Sequence, residues 1–269
     1  MKKAEWSYSF YHVNTDLHIG FNNIDTISSE YTAILLIDYF GMTDLSDDVL
    51  KIRKLLPDIT IIVDCVQAYY SLDKYDAEYS FTSFRKWFPC PNGAIVKKRA
   101  KGSMIDLELK DGTWWQYKYA GNILKSFNQF VKDDIILALL EKGEDYLDED
   151  FLCKWDNASK EVYLSIDKEG IKSKRRENAK YLHENLLDMN IKHIYSEEGT
   201  PLFVPIFVND RDELRKEFYA ENIFTPKHWP NTYNLNNELY VRELSLICDQ
   251  RYEIDDMELQ LKVLQSRKK

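Results

Sequence analysis

Two periods run through the chain. Short apolar runs rich in Val, Ile and Leu mark buried strands, and longer stretches with apolar residues three and four apart mark helices. Thr32–Phe40 is nearly continuous apolar, the pattern of a strand covered on both faces, and Gly41 ends it. Ser46 is placed to cap a helix over Asp47–Leu56, with Asp47 and Asp48 in a first turn that favours negative charge. Pro57 and Asp58 stop that helix, and Thr60–Val63 follows as a second buried strand. Strand, helix, strand at this spacing predicts a βαβ unit and a parallel sheet. Glu78–Phe81 and Ala94–Val96 read as two further strands, with a turn at Pro89, Pro91, Asn92 and Gly93 between them.

Outside this block the pattern is more varied. Glu5–Val13 alternates as a strand with Trp6, Tyr8, Phe10 and Tyr11 as its bulk, and Asn22–Ser29 reads as a short helix. Lys97–Lys98–Arg99 reads as a solvated edge. Met104–Leu109 and Thr113–Tyr119 suggest a hairpin around Asp111–Gly112, with Trp114 and Trp115 read as core rather than pocket lining. Ile123–Leu147 keeps helical spacing throughout and predicts one long amphipathic helix. Beyond it come a helix over Glu169–Leu187, strands at Lys192–Tyr195 and Leu202–Val208, and a helix Arg211–Glu221 capped by Asp210. Pro205 places the second of those strands near an edge. Leu239–Ile247 reads as a strand and Ile254–Leu264 as the closing helix. This order predicts an α/β domain over 1–120, a connecting helix over 121–150 and a smaller α+β domain over 151–269.

Composition narrows the function classes. The chain has 269 residues, enough for one large domain or two smaller ones, and its 44% hydrophobic content supports a substantial core. A net charge of −9 argues against non-specific attraction to phosphate backbones, so nucleic acid is not an expected partner. Cys65, Cys90, Cys153 and Cys248 are far apart and form no C-x-x-C pair, which supports neither a disulfide framework nor a zinc site. A reducing cytoplasm is the expected compartment. The first ten residues lack the apolar core of a signal peptide, and no stretch reaches membrane-spanning length. No G-x-G-x-x-G follows a predicted strand, so dinucleotide binding is not expected.

The chemistry concentrates between Thr60 and Val96. Asp64 stands at the carboxyl end of a buried strand, where open α/β sheets bind ligands. Lys86 follows the next strand, preceded by Thr82 and Ser83. A carboxylate and a lysine at the ends of neighbouring strands suit pyridoxal 5'-phosphate (PLP) chemistry. That chemistry needs an acid to keep the pyridine nitrogen protonated and an amine of depressed pKa to carry the cofactor. Singly, each residue has a plainer reading, a capping Asp and a solvated Lys.

The motifs extend along the chain. D-x-x-Q-A at Asp64–Ala68, S-F-R-K-W at Ser83–Trp87 and the following P-N-G-A-I-V resemble fold type I PLP enzymes, most of all the DegT-like sugar-nucleotide aminotransferase family. The resemblance continues through Arg176–Glu177–Asn178–Ala179, Pro201–Ile206, His228–Trp229–Pro230, Leu244–Leu246 and Cys248–Tyr252. It implies a PLP-dependent transferase large domain with a mostly parallel sheet, plus the smaller C-terminal domain. It also implies roles. Asp64 would pair with the pyridinium nitrogen, Val66 would lie against the ring, and Gln67 would contact its hydroxyl. Ser83 or Thr82 would hold the phosphate, and Lys86 would carry the cofactor and shuttle the proton. His228, Trp229 and Arg251 are weaker substrate-binding candidates, Arg251 reading more readily as a salt-bridged residue. The implied partners are an amino donor, usually glutamate, a nucleotide-linked keto sugar and a second copy of the chain.

The match departs at the front. Members of the family begin with a further helix-and-strand segment bearing a small-residue loop for the phosphate and an aromatic that stacks on the ring. Residues 1–20 contain only Gly20 and no glycine–serine loop. The expectation is therefore an N-terminally incomplete large domain. It leaves open an aminotransferase completed by a separate chain, a PLP-dependent lyase or dehydratase, and a non-catalytic structural or regulatory partner.

Overall fold

The computed structural model describes residues 6–21, 31–99, 111–127, 130–149, 153–229 and 237–267. Its central feature is a four-stranded sheet of β3 (Ala33–Ile37), β4 (Thr60–Asp64), β5 (Tyr79–Ser83) and β6 (Ala94–Lys98), in that spatial order. The first three are parallel and β6 runs antiparallel to β5. In register, Ile37 lies beside Asp64 and Asp64 beside Phe81, so the ends of three strands form one rim. β4 shows why the segment is a strand. Ile61 and Val63 are fully buried while Thr60, Ile62 and Asp64 face a less covered side. The two-sided cover expected for Thr32–Phe40 is not found. β3 ends the described sheet and only Leu36 in it is fully buried.

Helix α1 (Ser46–Leu55) packs Val49 and Ile52 on one face of the sheet with Leu36, Ile61 and Val63. Ser46 is not its cap. The Asp44 carboxylate accepts from both the Ser46 amide (3.0 Å) and its hydroxyl (2.6 Å). Only His12–Val13 (β1) of the predicted first strand pairs, with Ile19–Gly20 (β2). Trp6, Tyr8 and Phe10 are exposed there, because the segment has no partner ladder among the described residues. The predicted helix 22–29 and the first half of the hairpin lie outside those residues.

The second half of that hairpin is helical. Trp114–Ser126 forms α2, and Asp133–Glu149 forms α3. The two pack closely. A Cβ on Gly121 would lie 2.8 Å from a Leu140 methyl, and Tyr117 stacks on Tyr146 at 5.5 Å. This packing overrides the strand preference of the Trp- and Tyr-rich stretch. The single helix 123–147 is thus two helices. The second starts where Asp133 and Asp134 enter its first turn and Asp134 accepts from the Ile135 amide (2.9 Å). Trp114 is buried, as core.

The C-terminal part contains α4 (Asn157–Ser165), α5 (Lys168–Asp188), β7 (Phe203–Phe207), α6 (Arg211–Ala220), α7 (Glu238–Arg242), β8 (Glu243–Ile247) and α8 (Ile254–Ser266). The predicted strand 239–247 is divided, because Asn237 caps a helical turn by accepting from the Leu239 amide (2.9 Å). Of the predicted strand 192–195, only the bridge of His193 to Ile206 forms. Pro205 sits opposite Ser245 in the β7–β8 pair, and its carbonyl faces Ile194 rather than β8. Asp210 does not cap α6 with its side chain; it pairs with Arg267 at 2.6 Å.

Three apolar clusters result. One lies between sheet and α1, and one fills the C-terminal part around Leu182, Ile206, Phe218 and Leu261. The third, with Phe84, Trp87, Phe88, Ile171 and Leu202, lies under the turn that carries Lys86 and joins residues of both parts. Phe40 crosses over as well. Its backbone is left-handed (φ 64°), it is fully buried in the C-terminal cluster, and its carbonyl accepts from the Leu202 amide (2.8 Å).

Candidate active site

Asp64 closes β4, and Lys86 closes the short turn Phe84–Lys86 that follows the neighbouring parallel strand. Strand alternation puts Asp64 and Ser83 on the same sheet face, and Thr82 on the other. The Asp64 carboxylate accepts from the Val66 amide through Oδ1 (2.8 Å), and its second oxygen has no partner among the described residues. Burial raises its pKa, while the Val66 amide and the Lys86 charge pull it down. Burial lowers the Lys86 pKa, the Asp64 charge opposes that shift, and Arg85 adds to it. The two groups therefore sense each other without forming an ion pair. Lys86 has an exposed side chain, so solvent limits the size of these effects.

The turn is pinned on both flanks. Arg85 pairs with Glu144 of α3 and lies 5.7 Å from the Trp114 ring. Trp87 is 1% exposed, and its indole N–H donates to the Val66 carbonyl (3.0 Å). Gly93 takes a positive φ of 112° in the return turn, where a Cβ would lie 2.6 Å from Phe84.

The remaining sequence candidates fall in different places. Gln67 turns its side-chain oxygen to the Phe40 amide (3.3 Å). The Thr82 hydroxyl, buried, donates to the Cys65 carbonyl (2.8 Å), whereas the Ser83 hydroxyl makes no hydrogen bond among the described residues. Trp229 is buried against Tyr39, with ring centres 5.0 Å apart. His228 lies between Phe40 (4.8 Å) and Phe203 (5.1 Å). Arg251 is spent on Asp249, its Nε 3.0 Å from Oδ1 and its Nη2 2.5 Å from Oδ2.

Tyr39, ending a strand on the side expected to face the site, was visible in the sequence, whereas Glu243 was missed. Tyr39 links the rim to Trp229, and burial, with smaller contributions from Tyr240 and Asp64, pushes its pKa up to about 12. The fully buried Glu243 accepts from the His228 amide (2.9 Å) and the Ser245 hydroxyl (2.7 Å), holding the His228 segment in place. The Glu-x-Ser spacing on one strand face was its only sequence signal. Among the described residues no cluster of three or more His, Cys, Asp or Glu side chains could hold a metal ion. No helix among them is long and apolar enough to cross a membrane.

The arrangement fits part of what PLP needs. A half-buried carboxylate with one free oxygen suits a protonated ring nitrogen, and an unpaired amine of lowered pKa suits attachment. The Ser83 hydroxyl, without a hydrogen bond among the described residues and on the same sheet face as Asp64, would be available to a phosphate.

The fold is that of the fold type I PLP-dependent transferases. A Streptococcus pneumoniae protein assigned as a sugar aminotransferase, in its PMP form, superposes with a TM-score of 0.60 at 11% identity, covering 95% of this chain and 74% of the other. A DegT DnrJ EryC1 StrS aminotransferase from Brucella abortus gives 0.53 at 16% identity, covering 91% and 66%. A NifS-like protein from Rickettsia africae gives 0.56 at 11% identity, covering 95% and 68%. No family model and no curated protein sequence matches the chain.

Proposed function

We propose that the chain is a PLP-dependent aminotransferase that moves an amino group from an amino acid, glutamate by family resemblance, to a nucleotide-linked keto sugar. The observation that carries the reading is the placement of Asp64 and Lys86 on one rim, electrostatically coupled but unpaired. When bound, PLP supplies an electron sink for charge developing at the substrate carbon. Asp64 would hold the ring nitrogen in its charged form. Val66 and Gln67 would border the ring, and Ser83 would donate to the phosphate. Thr82 contributes behind them, because its hydroxyl fixes the Cys65 carbonyl next to Asp64. Lys86, once released, would take and return a proton at Nζ, a task that a lowered pKa favours. His228 and Trp229 would border the substrate from the C-terminal part. By the same family resemblance the site is completed in a homodimer, and light scattering behind size exclusion tests that.

A second reading has its own support. The Thr82 hydroxyl is engaged, and of the two hydroxyls only that of Ser83 makes no hydrogen bond among the described residues. A chain of this fold without transaminase activity, serving a partner, would have the same rim. Added PLP decides between them. The visible band of lysine-bound cofactor, lost in Lys86→Ala, is expected. A folded chain without that band leaves the non-catalytic reading.

A further inference from the structure

The Lys86 turn and the Asp64–Val66 loop come from different strands, so something must fix their separation. One residue bonds to both. Trp87 follows Lys86 directly, and its amide closes the turn on the Phe84 carbonyl (2.9 Å). Its indole N–H reaches the Val66 carbonyl (3.0 Å), and the Val66 amide orients the Asp64 carboxylate (2.8 Å). From the other side the Gln250 side-chain amide donates to the Trp87 carbonyl (3.2 Å). The Arg175 guanidinium lies 4.8 Å from the Trp87 ring centre. Arg175 is 3% exposed and anchors through Nη1 to the carbonyls of Pro201 and Leu202, both at 3.1 Å. Tyr70 meets the ring edge-on at 5.5 Å.

We propose that Trp87 is a positioning residue, which sets the Lys86 amine against the Asp64 carboxylate under the control of Gln250 and Arg175 in the C-terminal part. This rests on the reading of Lys86 and Asp64 as the reactive pair. A hydrogen-bonded indole held on its face and edge has little freedom, and the short turn passes that rigidity to the residue before it. The C-terminal part thereby acts on the reactive amine without supplying an atom to it. A movement of α5 or of the Gln250 loop would be felt at Lys86 through Trp87.

The test uses the chain without added cofactor. Reductive methylation by formaldehyde and cyanoborohydride consumes neutral amines, and mass spectrometry of the Lys86 peptide gives its rate against pH. Trp87→Phe keeps the ring but removes the indole donor, and Gln250→Met removes the other tether at similar volume. In both, Lys86 is expected to swing toward water, raising its midpoint by about half a pH unit and slowing labelling at pH 8 about threefold. Lys168 and Lys192, held by other contacts, serve as internal controls. Folded variants with the parent Lys86 profile overturn the proposal, as does an equal change at the control lysines. If Trp87→Phe does not fold, Gln250→Met decides alone. Absence of a PLP band in the parent would sink the proposed function and leave this measurement standing, whereas an unchanged Lys86 profile beside a normal band sinks only the positioning role.

Discussion

Asp38, at the end of β3, offers a sharp test of the energetics. It is fully buried and receives the Tyr75 hydroxyl on Oδ2 at 2.6 Å, while Oδ1 has no hydrogen-bond partner among the described residues. Burial pushes its pKa up to about 7, against smaller opposing effects of Tyr75, Ser71 and Lys74. The folded chain therefore holds this proton where the unfolded chain has released it. Stability is unaffected below about pH 4, falls as pH rises toward 7, and is then level, with a total cost of about 4 kcal/mol. Asp38→Asn keeps the shape and the acceptor for Tyr75 but cannot ionise. Its new amide needs an acceptor, and lacking one costs about 1–3 kcal/mol. The change in the variant-minus-parent difference between two pH values is free of that constant. Urea unfolding at pH 5 and pH 8 should show it shifting in favour of the variant by about 3 kcal/mol. A difference that stays level across the window refutes the assignment of a neutral buried carboxyl.

Two further outcomes follow from local geometry. Gly41 has φ 67°, and a Cβ there would lie 2.3 Å from the Thr200 carbonyl oxygen, so Gly41→Ala should lower stability by at least about 2 kcal/mol in urea unfolding, and a loss below half of that contradicts the close approach. His193 gives its Nδ1 proton to the Ile191 carbonyl (2.7 Å), so its Nε2 accepts from His183 Nδ1 (2.8 Å). Burial first, and then the electrostatic influence of the neighbouring His193 ring, lower the His183 pKa, so this group makes the fold lose stability as pH falls through about 6.5. His193→Gln should move the His183 midpoint up in an imidazole NMR titration, and an unmoved midpoint refutes the coupling.

The sheet was readable from sequence because its strands carry their own signals. Thr60–Asp64 joins β-branched residues to a polar stop, and the βαβ spacing fixes its parallel neighbour. Caps were less legible: Ser46 and Asp210, placed to cap α1 and α6, do not, whereas Asp167, which the sequence did not single out, accepts from the Gly170 amide (2.9 Å). What failed depends on distant partners. Trp114–Ser126 is helical because Gly121 lets α3 approach, which no local rule encodes. Glu243–Ile247 forms a strand only after a helical turn that Asn237 caps, and apolar content alone does not separate the two. At the rim, Asp64 and Lys86 were visible from their strand ends. The loss of the Thr82 hydroxyl to Cys65 was not, since it follows from which face each residue takes in register.

The crossover at Phe40 and Gly41 bears on how the molecule withstands damage. Two backbone hydrogen bonds tie this corner to Thr200 and Leu202, and a large ring from the first forty residues is embedded in the second half's interior. A protease cutting the link between α2 and α3 would therefore yield pieces that stay clasped, and neither piece could be made alone without baring that ring to water.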